Sequence, residues 1–180
     1  MRLFVAIDIA DGVRENLRAL IDRLRPAARL SWSRVDNLHI TTKFIGEWPE
    51  AKLDEMKRAL EAVKTAGAIE VAIRGIGWFP NARNPRVLWA GVEADERLSQ
   101  LAHATELAVE AIGVKKEDRA YSPHLTLARI RERVPLDTLR GAIDSLPSTD
   151  FGSFRATSFY LYLSAAGRYS RLAEFPVNKS

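Results

Sequence analysis

The chain has 180 residues, a formal net charge of +4 at pH 7 and no cysteine. The absence of cysteine excludes disulfides and thiolate metal sites, and no apolar run approaches the ~20 residues that a membrane-spanning helix needs. The first residues, MRLFVAIDIADG, lack the pattern of a signal peptide because Asp8 interrupts a short apolar run. We therefore expect a cytoplasmic protein without a membrane partner, whose mildly basic surface (pI near 9.6) permits an anionic one.

Apolar periodicity predicts the elements of the first half of the chain. In chain order they are a strand over 2–9, a helix from the N-cap Asp11 to about Arg25, a strand over 38–45, and a helix from Pro49 to about Gly67.

The second half continues the alternation of strands and helices. The predicted elements are strands near 69–75 and 86–93, a helix over 95–112, a strand over 123–130, a short helix over 135–145, and final strands joined by a turn at 165–168. The stretch GIGWFPNARNPR, residues 75–86, is predicted to be a loop or a hairpin tip that contains Trp78 and Phe79. Trp32 and Trp89 are predicted to be core residues.

This order of elements is typical of an α+β fold in which helices cover one face of each sheet. Each half of the chain carries a strand with a His-x-Thr string and a helix after it. The repetition favours a single domain, residues 1–180, that is made of two pseudo-symmetric lobes.

All three histidines are followed by threonine two positions later, in NLHITTKF (37–44), LAHATEL (101–107) and SPHLTLAR (122–129). In a strand, side chains two positions apart share a face. His39 and Thr41 therefore present an imidazole and a hydroxyl on one side of a strand. His124 and Thr126 do the same on another strand.

The middle string behaves differently because it lies in a helical pattern. Two positions in a helix differ by about 200°, so His103 and Thr105 point in nearly opposite directions. We predict that His103 is a surface residue on the polar face of its helix. For the two strand pairs, the alternative to a functional site is that both histidines are hydrogen-bonded residues of a sheet.

Two imidazoles can serve as general acid and general base in one reaction. Threonine hydroxyls can donate hydrogen bonds to the non-bridging oxygens of a phosphate. Such a set fits in-line cleavage of a phosphodiester, for which no metal or cofactor is expected. Two histidines without a carboxylate triad make a poor zinc site, and no nucleophile-elbow motif indicates a serine hydrolase.

Four stretches carry a resemblance to a known family: LHITTKFIGE, GWFPNARNPRVLWAGV, SPHLTLARI and FYLYLSAAGRYSRLAEFPV. They resemble the RNA 2′,3′-cyclic phosphodiesterases, also called 2′-5′ RNA ligases, of the two-histidine phosphoesterase superfamily. The resemblance implies a bilobal α+β fold in which two antiparallel sheets face a central cleft and helices lie on the outer faces. It also implies hydrolysis of RNA 2′,3′-cyclic phosphate ends to 2′-phosphate, with RNA ligation as a side activity.

By the same resemblance, His39 would protonate the departing O3′ and His124 would activate water, although the residues themselves leave this order open. Thr41 and Thr126 would bind the phosphate, as would Arg129. Strict alternation puts Arg129 on the face opposite His124, so it reaches the phosphate only if the strand ends, twists or bulges near residue 128.

Strand parity adds further substrate-binding candidates. Lys43 lies four positions after His39 and is therefore predicted to share its face of the strand, whereas Phe44 is predicted to lie on the opposite face. Phe4 shares a face with Asp8 and could stack a terminal base. Tyr160 and Tyr162 alternate with apolar neighbours along a predicted strand. We therefore predict that both tyrosines face the cleft.

Two alternatives remain open at this level. A phosphodiesterase for a small cyclic nucleotide would use the same chemistry in a different cleft. A non-catalytic module that binds phosphorylated RNA ends would use the same residues without turnover. In each case the partner is RNA or a small cyclic nucleotide, and a monomer is expected.

Overall fold

The structure is a computed structural model that describes residues 1–177. The last three residues of the predicted domain lie outside this range. The helices are α1 (Asp11–Leu24), α2 (Leu53–Glu61), α3 (Glu96–Glu110) and α4 (Asp137–Asp144). The strands are β1 (Arg2–Asp8), β2 (Ser31–Trp32), β3 (His39–Glu47), β4 (Ile69–Phe79), β5 (Val87–Ala94), β6 (His124–Arg129), β7 (Asp150–Ala156), β8 (Ser158–Ala165) and β9 (Arg168–Pro176).

The strands form two antiparallel sheets. The four-stranded sheet has the order β3-β1-β8-β9, and the five-stranded sheet has the order β2-β6-β5-β4-β7. Each sheet thus contains one of the two His-x-Thr strands, β3 in the first and β6 in the second. The predicted α+β class, with two antiparallel sheets about a cleft and helices outside, is confirmed.

Strand β1 illustrates how the sequence separates the two faces of a sheet. Leu3, Val5 and Ile7 alternate along it and belong to the main apolar core. Phe4 and Ala6 point the other way and pack in a separate small cluster with Tyr162. Both sets are buried, so the strand is apolar on both faces between Leu3 and Ile7, and its second face lies beneath other side chains rather than in open solvent.

The helices cover the sheets in pairs. Helices α2 and α3 pack on each other and on β9 and β3 of the four-stranded sheet, whereas α1 and α4 pack together and α1 lies against β7 of the five-stranded sheet. The side-chain amide of Asn16 on α1 donates to the carbonyl of Phe151 on β7 at 2.9 Å. Among residues 1–177, no helix is both long enough and apolar enough to span a membrane.

Several predicted boundaries need correction. Asp11 is the first residue of α1 and not its N-cap; the cap position is Ala10, whose methyl group cannot accept a hydrogen bond from the free amides. Asp95, by contrast, caps α3 by accepting from the amide of Arg97 at 2.9 Å. The stretch predicted as a loop from residue 75 is strand as far as Phe79, so Trp78 lies in β4.

Gly91 of β5 is needed for the close packing of strands beside β6. It lies opposite His124, and a methyl group there would overlap the main-chain carbonyl of Arg74, which cannot move without distorting β4. We expect Gly91→Ala to lower the free energy of unfolding by about 1–3 kcal/mol. Urea unfolding checks this. Gly141→Ala is the control: no atom lies near the added methyl group in α4, and we expect it to stabilise by about 0.5–1 kcal/mol.

Candidate functional site

His39 begins β3, and the structure fixes its tautomer. Its Nδ1 lies 3.1 Å from the main-chain carbonyl oxygen of Asn37. A carbonyl can only accept, so Nδ1 carries the proton and donates it. The Nε2 atom is then the one that can accept or release a proton in a reaction.

His124 begins β6 and repeats this arrangement. Its Nδ1 donates to the carbonyl of Ser122 at 3.0 Å, again two residues before the histidine. The side chain is exposed, whereas that of His39 is only 7% exposed. Both histidines therefore have the same ring orientation relative to their strands, with Nε2 available, but they differ in solvation.

The two motif strands come from different sheets and meet. β3 and β6 lie in contact, and the hydroxyl of Tyr121, three residues before His124, donates to the carbonyl of Thr41 at 2.9 Å. Burial raises the pKa of the Tyr121 hydroxyl, so it stays protonated as a donor. Strand parity alone could not predict this proximity of the two motifs.

The side chains of Thr41 and Thr126 lie on the same faces as their histidines. Thr41 is opposite Ala6, and Ala6 belongs to the cluster on the Phe4 side of β1. Thr126 is opposite Trp89 of β5. Neither threonine hydroxyl forms a hydrogen bond to another group within residues 1–177, so both can bind a ligand.

Asp8 lies beside His39 and was not among the predicted site residues. The two residues are direct cross-strand partners, and Asp8 Oδ1 is 3.6 Å from His39 Nε2. The hydroxyl of Tyr162 donates to Oδ1, and the guanidinium of Arg171 pairs with Oδ2. The signal available in the sequence was an acidic residue at the end of an apolar strand, on the face of Phe4.

This environment sets the protonation of His39. Burial lowers its pKa, while the Asn37 carbonyl and the Asp8 carboxylate oppose the effect by raising it; Arg14 and Arg171 lower it further. The net result is a pKa below the ordinary value, so the neutral ring is favoured at neutral pH. Burial and the bond to Asp8 raise the pKa of Tyr162, which keeps its hydroxyl a donor.

A bulge in β3 exchanges the faces that the side chains after Thr41 occupy. Val5 pairs with Lys43 and Ala6 pairs with Thr41, so Thr42 has no partner residue in β1. Because Val5 is on the core side, Lys43 is on the core side too, and Phe44 moves to the His39 face. The predictions for Lys43 and Phe44 are therefore both wrong, and for the same reason.

The contacts of Lys43 agree with this correction. Its ammonium is buried and donates to Glu106 of α3 at 2.9 Å and to the carbonyl of Lys115 at 3.0 Å. The pair ties β3 to the helix that covers it. Thr42, buried at the bulge, donates to the carbonyl of Val5 at 3.1 Å.

A bulge at the equivalent position of β6 decides where Arg129 points. Leu88 pairs with Ala128 and Trp89 pairs with Thr126, so Leu127 has no partner residue in β5. Leu127 and Ala128 are both buried in the core, and Arg129 returns to the face of Thr126. The bulge on which this assignment depends is thus present, at residue 127 rather than at the predicted residue 128.

Aromatic rings surround His39. Phe4 is buried and stacks on Tyr162 at a centroid distance of 5.2 Å, with Tyr169 edge-on at 4.8 Å. Tyr169 is 5.8 Å from the His39 ring. Phe44 lies 6.3 Å from Phe4 and is 70% exposed. The exposed rings, Phe44 and Tyr169, form what we call the aromatic rim of the four-stranded sheet.

Tyr160 lies on the same face of β8 as Tyr162 but is already engaged. Its hydroxyl donates to Glu174 at 3.2 Å, and the guanidinium of Arg171 lies 4.3 Å above its ring. Burial and the neighbouring carboxylates of Glu174 and Asp8 raise the pKa of Tyr160. This residue supports Arg171, which in turn holds Asp8.

The prediction that Trp89 is a core residue is wrong. Leu88 and Ala90 on either side of it face the core, so Trp89 faces the other way, opposite Thr126 and Gly77. A methyl group at Gly77 would overlap the Trp89 ring, so the ring lies flat over this glycine. Trp32 packs against the core as predicted, and His103 is exposed as predicted.

A model of the LigT-like phosphoesterase family matches residues 7–89 and 91–170 of the chain. The fold and this match define the protein as a phosphoesterase of the two-histidine superfamily. It belongs to the LigT-like family, and the family resemblance of its sequence is confirmed.

Relatives named for one activity span most of the chain. An RNA 2′,3′-cyclic phosphodiesterase of Methanothermobacter thermautotrophicus is 34% identical over 163 residues, which are 89% of this chain and 88% of the relative. The enzyme of the same name from Archaeoglobus fulgidus is 32% identical over 161 residues, which are 89% of each chain.

Solved structures agree with the fold. A protein of Thermus thermophilus superposes with a TM-score of 0.78 at 29% identity and covers 98% of both chains. LigT of E. coli in complex with 3′-AMP superposes with a TM-score of 0.76 at 26% identity, over 99% of this chain and 98% of the other.

Proposed function

We propose that this protein hydrolyses the 2′,3′-cyclic phosphate end of RNA to a 2′-phosphate by general acid–base catalysis. The observation that carries the proposal is the pair of histidines on adjoining strands, each with Nδ1–H bound to a carbonyl and Nε2 free to exchange a proton. The names of the relatives support the same substrate.

In the proposed reaction, Nε2 of His124 takes a proton from a water molecule whose oxygen attacks the phosphorus. The bond between phosphorus and O3′ breaks on the opposite side, and Nε2 of His39 gives its proton to O3′. Water thus supplies the new oxygen of the 2′-phosphate and, through the two imidazoles, the proton on the 3′-hydroxyl. In the free protein burial outweighs Asp8 and favours the neutral ring of His39. The acid role therefore requires the anionic phosphate of the substrate to raise the pKa of His39 together with Asp8, because negative charge beside Nε2 stabilises the protonated ring.

We propose that the phosphate is held by the hydroxyls of Thr41 and Thr126 together with the guanidinium of Arg129. Hydrogen bonds and positive charge at the non-bridging oxygens stabilise the charge that develops during in-line attack. The face that Arg129 shares with Thr126 after the Leu127 bulge supports this role.

The aromatic rim is the proposed site for the terminal base. Of the aromatic candidates on this face, Phe4 and Tyr162 are buried and form the layer beneath it, and Tyr160 is engaged with Glu174. Phe44 and Tyr169 are exposed and present ring faces on which a base of any sequence could stack.

Phe44→Ala is expected to raise KM for a cyclic-phosphate dinucleotide by about 5- to 150-fold with little change in kcat. The reason is the loss of a stacking contact worth about 1–3 kcal/mol that is made equally in the ground and transition states. Steady-state kinetics measure this. Phe79→Ala, which removes another exposed phenylalanine at the end of β4, is the control and should leave KM unchanged.

The activity itself is tested with an oligoribonucleotide that ends in a 2′,3′-cyclic phosphate, incubated with the protein after chelator treatment. A product that ends in 2′-phosphate supports the proposal. A product that ends in 3′-phosphate, or unchanged substrate after long incubation with tight binding, contradicts it; the second result favours a binding module.

We also propose that residues 1–180 form a single domain of two pseudo-symmetric lobes. The equivalent histidine tautomers and the equivalent bulges, at Thr42 and Leu127, support this relation. A monomer in the cytoplasm stays our prediction from the sequence.

A further inference from the structure

A second concave surface lies at the edge of the five-stranded sheet, beside β2. It is a groove of about 510 Å³ whose lining includes Arg25, Arg29, Arg34, Leu30 and Trp32. We call it the arginine groove. Its residues come from the segment that links α1 to β3, and none of them belongs to the proposed catalytic site.

Within residues 1–177, no carboxylate forms an ion pair with an arginine of the arginine groove. Arg25, Arg29 and Arg34 are exposed, and the ion pairs formed within residues 1–177 by arginines involve other members of that residue type: Arg18, Arg74, Arg97, Arg155 and Arg171. Three uncompensated guanidinium groups around one concave surface favour an anionic occupant.

Trp32 gives the groove a fixed aromatic wall. Its indole N–H donates to the carbonyl of Ala28 at 3.1 Å, and the ring is half-buried against the core. A ring held in this way offers an apolar face without losing conformational entropy on binding. Arginines interleaved with an aromatic ring are the usual features of a site for single-stranded nucleic acid.

The groove and the proposed catalytic cleft lie on either side of the edge strand β2. β2 is the edge strand next to β6, and Ser31, directly before Trp32, is opposite Arg129. Residues opposite each other on antiparallel strands have their Cβ atoms about 4.5–5.5 Å apart. Arg131, after the end of β6, donates to the hydroxyl of Ser31 at 3.2 Å. Trp32, the next residue, is opposite Ala128 on the core side, so an RNA strand that leaves Arg129 would pass Ser31 and Arg131 and turn round this edge strand to reach the groove.

We propose that the arginine groove binds the RNA strand on the 5′ side of the terminal nucleotide, whose cyclic phosphate lies between the histidines. The proposal rests on the proposed function. It makes the preferred substrate an oligoribonucleotide rather than a mononucleotide, because phosphates upstream of the end add charge contacts that a mononucleotide lacks.

The test compares two substrates, a nucleoside 2′,3′-cyclic monophosphate and an RNA octamer that ends in a 2′,3′-cyclic phosphate. The variant carries Arg25→Gln, Arg29→Gln and Arg34→Gln. At about 0.1 M salt we expect its kcat/KM to fall at least ~10-fold for the octamer and to stay unchanged for the monophosphate. The dependence of log(kcat/KM) for the octamer on log[salt] should become shallower by about 2, since each phosphate contact on a single strand contributes about 0.7.

The control variant removes three exposed arginines elsewhere, through Arg58→Gln, Arg74→Gln and Arg155→Gln. It should retain the octamer rate, which separates the groove from a general effect of net charge. An octamer that is no better a substrate than the monophosphate overturns the proposal, as does an equal loss in both triple variants.

Two further outcomes separate this proposal from the proposed function. If wild type hydrolyses both substrates and the groove variant shows no loss specific to the octamer, the proposed role of the arginine groove is overturned and the proposed activity is retained. If wild type hydrolyses neither, the activity fails and the groove proposal fails with it. Equal competition by a polyglutamate peptide of matched charge would also overturn RNA as the occupant.

Discussion

Replacing His39 or His124 with alanine is expected to lower kcat/KM on a cyclic-phosphate RNA end by about 10²- to 10⁴-fold. Each substitution removes the only group proposed to move a proton on one side of the phosphorus, and general acid–base help is typically worth that much. The loss should appear mainly in kcat, because proton transfer occurs in the transition state. Steady-state kinetics on wild type and each variant measure it.

The chain supplies its own control in the third His-x-Thr string. His103 is exposed on α3, and His103→Ala should leave both kinetic constants at their wild-type values. Thermal melting of all three variants separates lost chemistry from lost folding. Wild-type rates in either His39→Ala or His124→Ala would rule out the proposed mechanism.

The second large effect concerns the pH dependence of the rate. With one histidine protonated and the other neutral, kcat/KM should be bell-shaped in pH. Asp8 raises the pKa of His39 and Arg171 lowers it. Asp8→Asn removes the carboxylate, so the protonated ring is less stable and its pKa falls. Arg171→Gln removes a cation, so the pKa rises.

These opposite shifts reveal the role of His39. If His39 is the acid, activity is lost on the alkaline side as it deprotonates; the alkaline limb then moves to lower pH in Asp8→Asn and to higher pH in Arg171→Gln. If the acidic limb moves instead, His39 is the base and the two roles exchange. A profile in which neither limb moves in either variant would mean that ionisation of His39 does not control the rate.

Asp8 is a positioning residue in this scheme, since it acts through His39. A purely structural role would lower stability and kcat without moving a limb of the profile. Asp8→Asn keeps the shape of the side chain and can still accept from Tyr162, so the pH profile rather than the rate alone is the informative measurement.

Local patterns in the sequence were sufficient for most of the fold. Alternation along β1 separated Leu3 and Val5 from Phe4, and helical spacing identified His103 as a surface residue. These features depend only on neighbours along the chain, which set which face a side chain occupies. The same reasoning selected His39 and His124 from three similar strings.

Alternation along the sequence predicted the wrong strand face where the pairing of strands is irregular. Thr42 carries nothing in its sequence that marks a bulge, because the extra residue is defined only against its partner strand. One unpaired residue was enough to exchange the positions of Lys43 and Phe44. The bulge at Leu127 had the converse effect and brought Arg129 to the side where the family resemblance required it.

Long-range partners were equally beyond local patterns. Asp8 and Arg171 are separated by 163 positions in the chain and meet only because β1, β8 and β9 are neighbours in one sheet. Trp89 was misassigned because an apolar ring is suited to a core. Its placement depends on Gly77 across the strand pair, which leaves room for the ring on the other face.

The hydrogen bond from Tyr121 to the carbonyl of Thr41 has a consequence for how the enzyme meets its substrate. It joins the segment before β6 to β3, close in sequence to both histidines, and so limits how far the two sheets can separate. Breaking this hydrogen bond to widen the cleft would cost about 0.5–1.5 kcal/mol, because water that enters would hydrate the freed hydroxyl and carbonyl. The spacing of the two histidines is therefore favoured before a substrate arrives, and less binding energy is consumed in bringing them together.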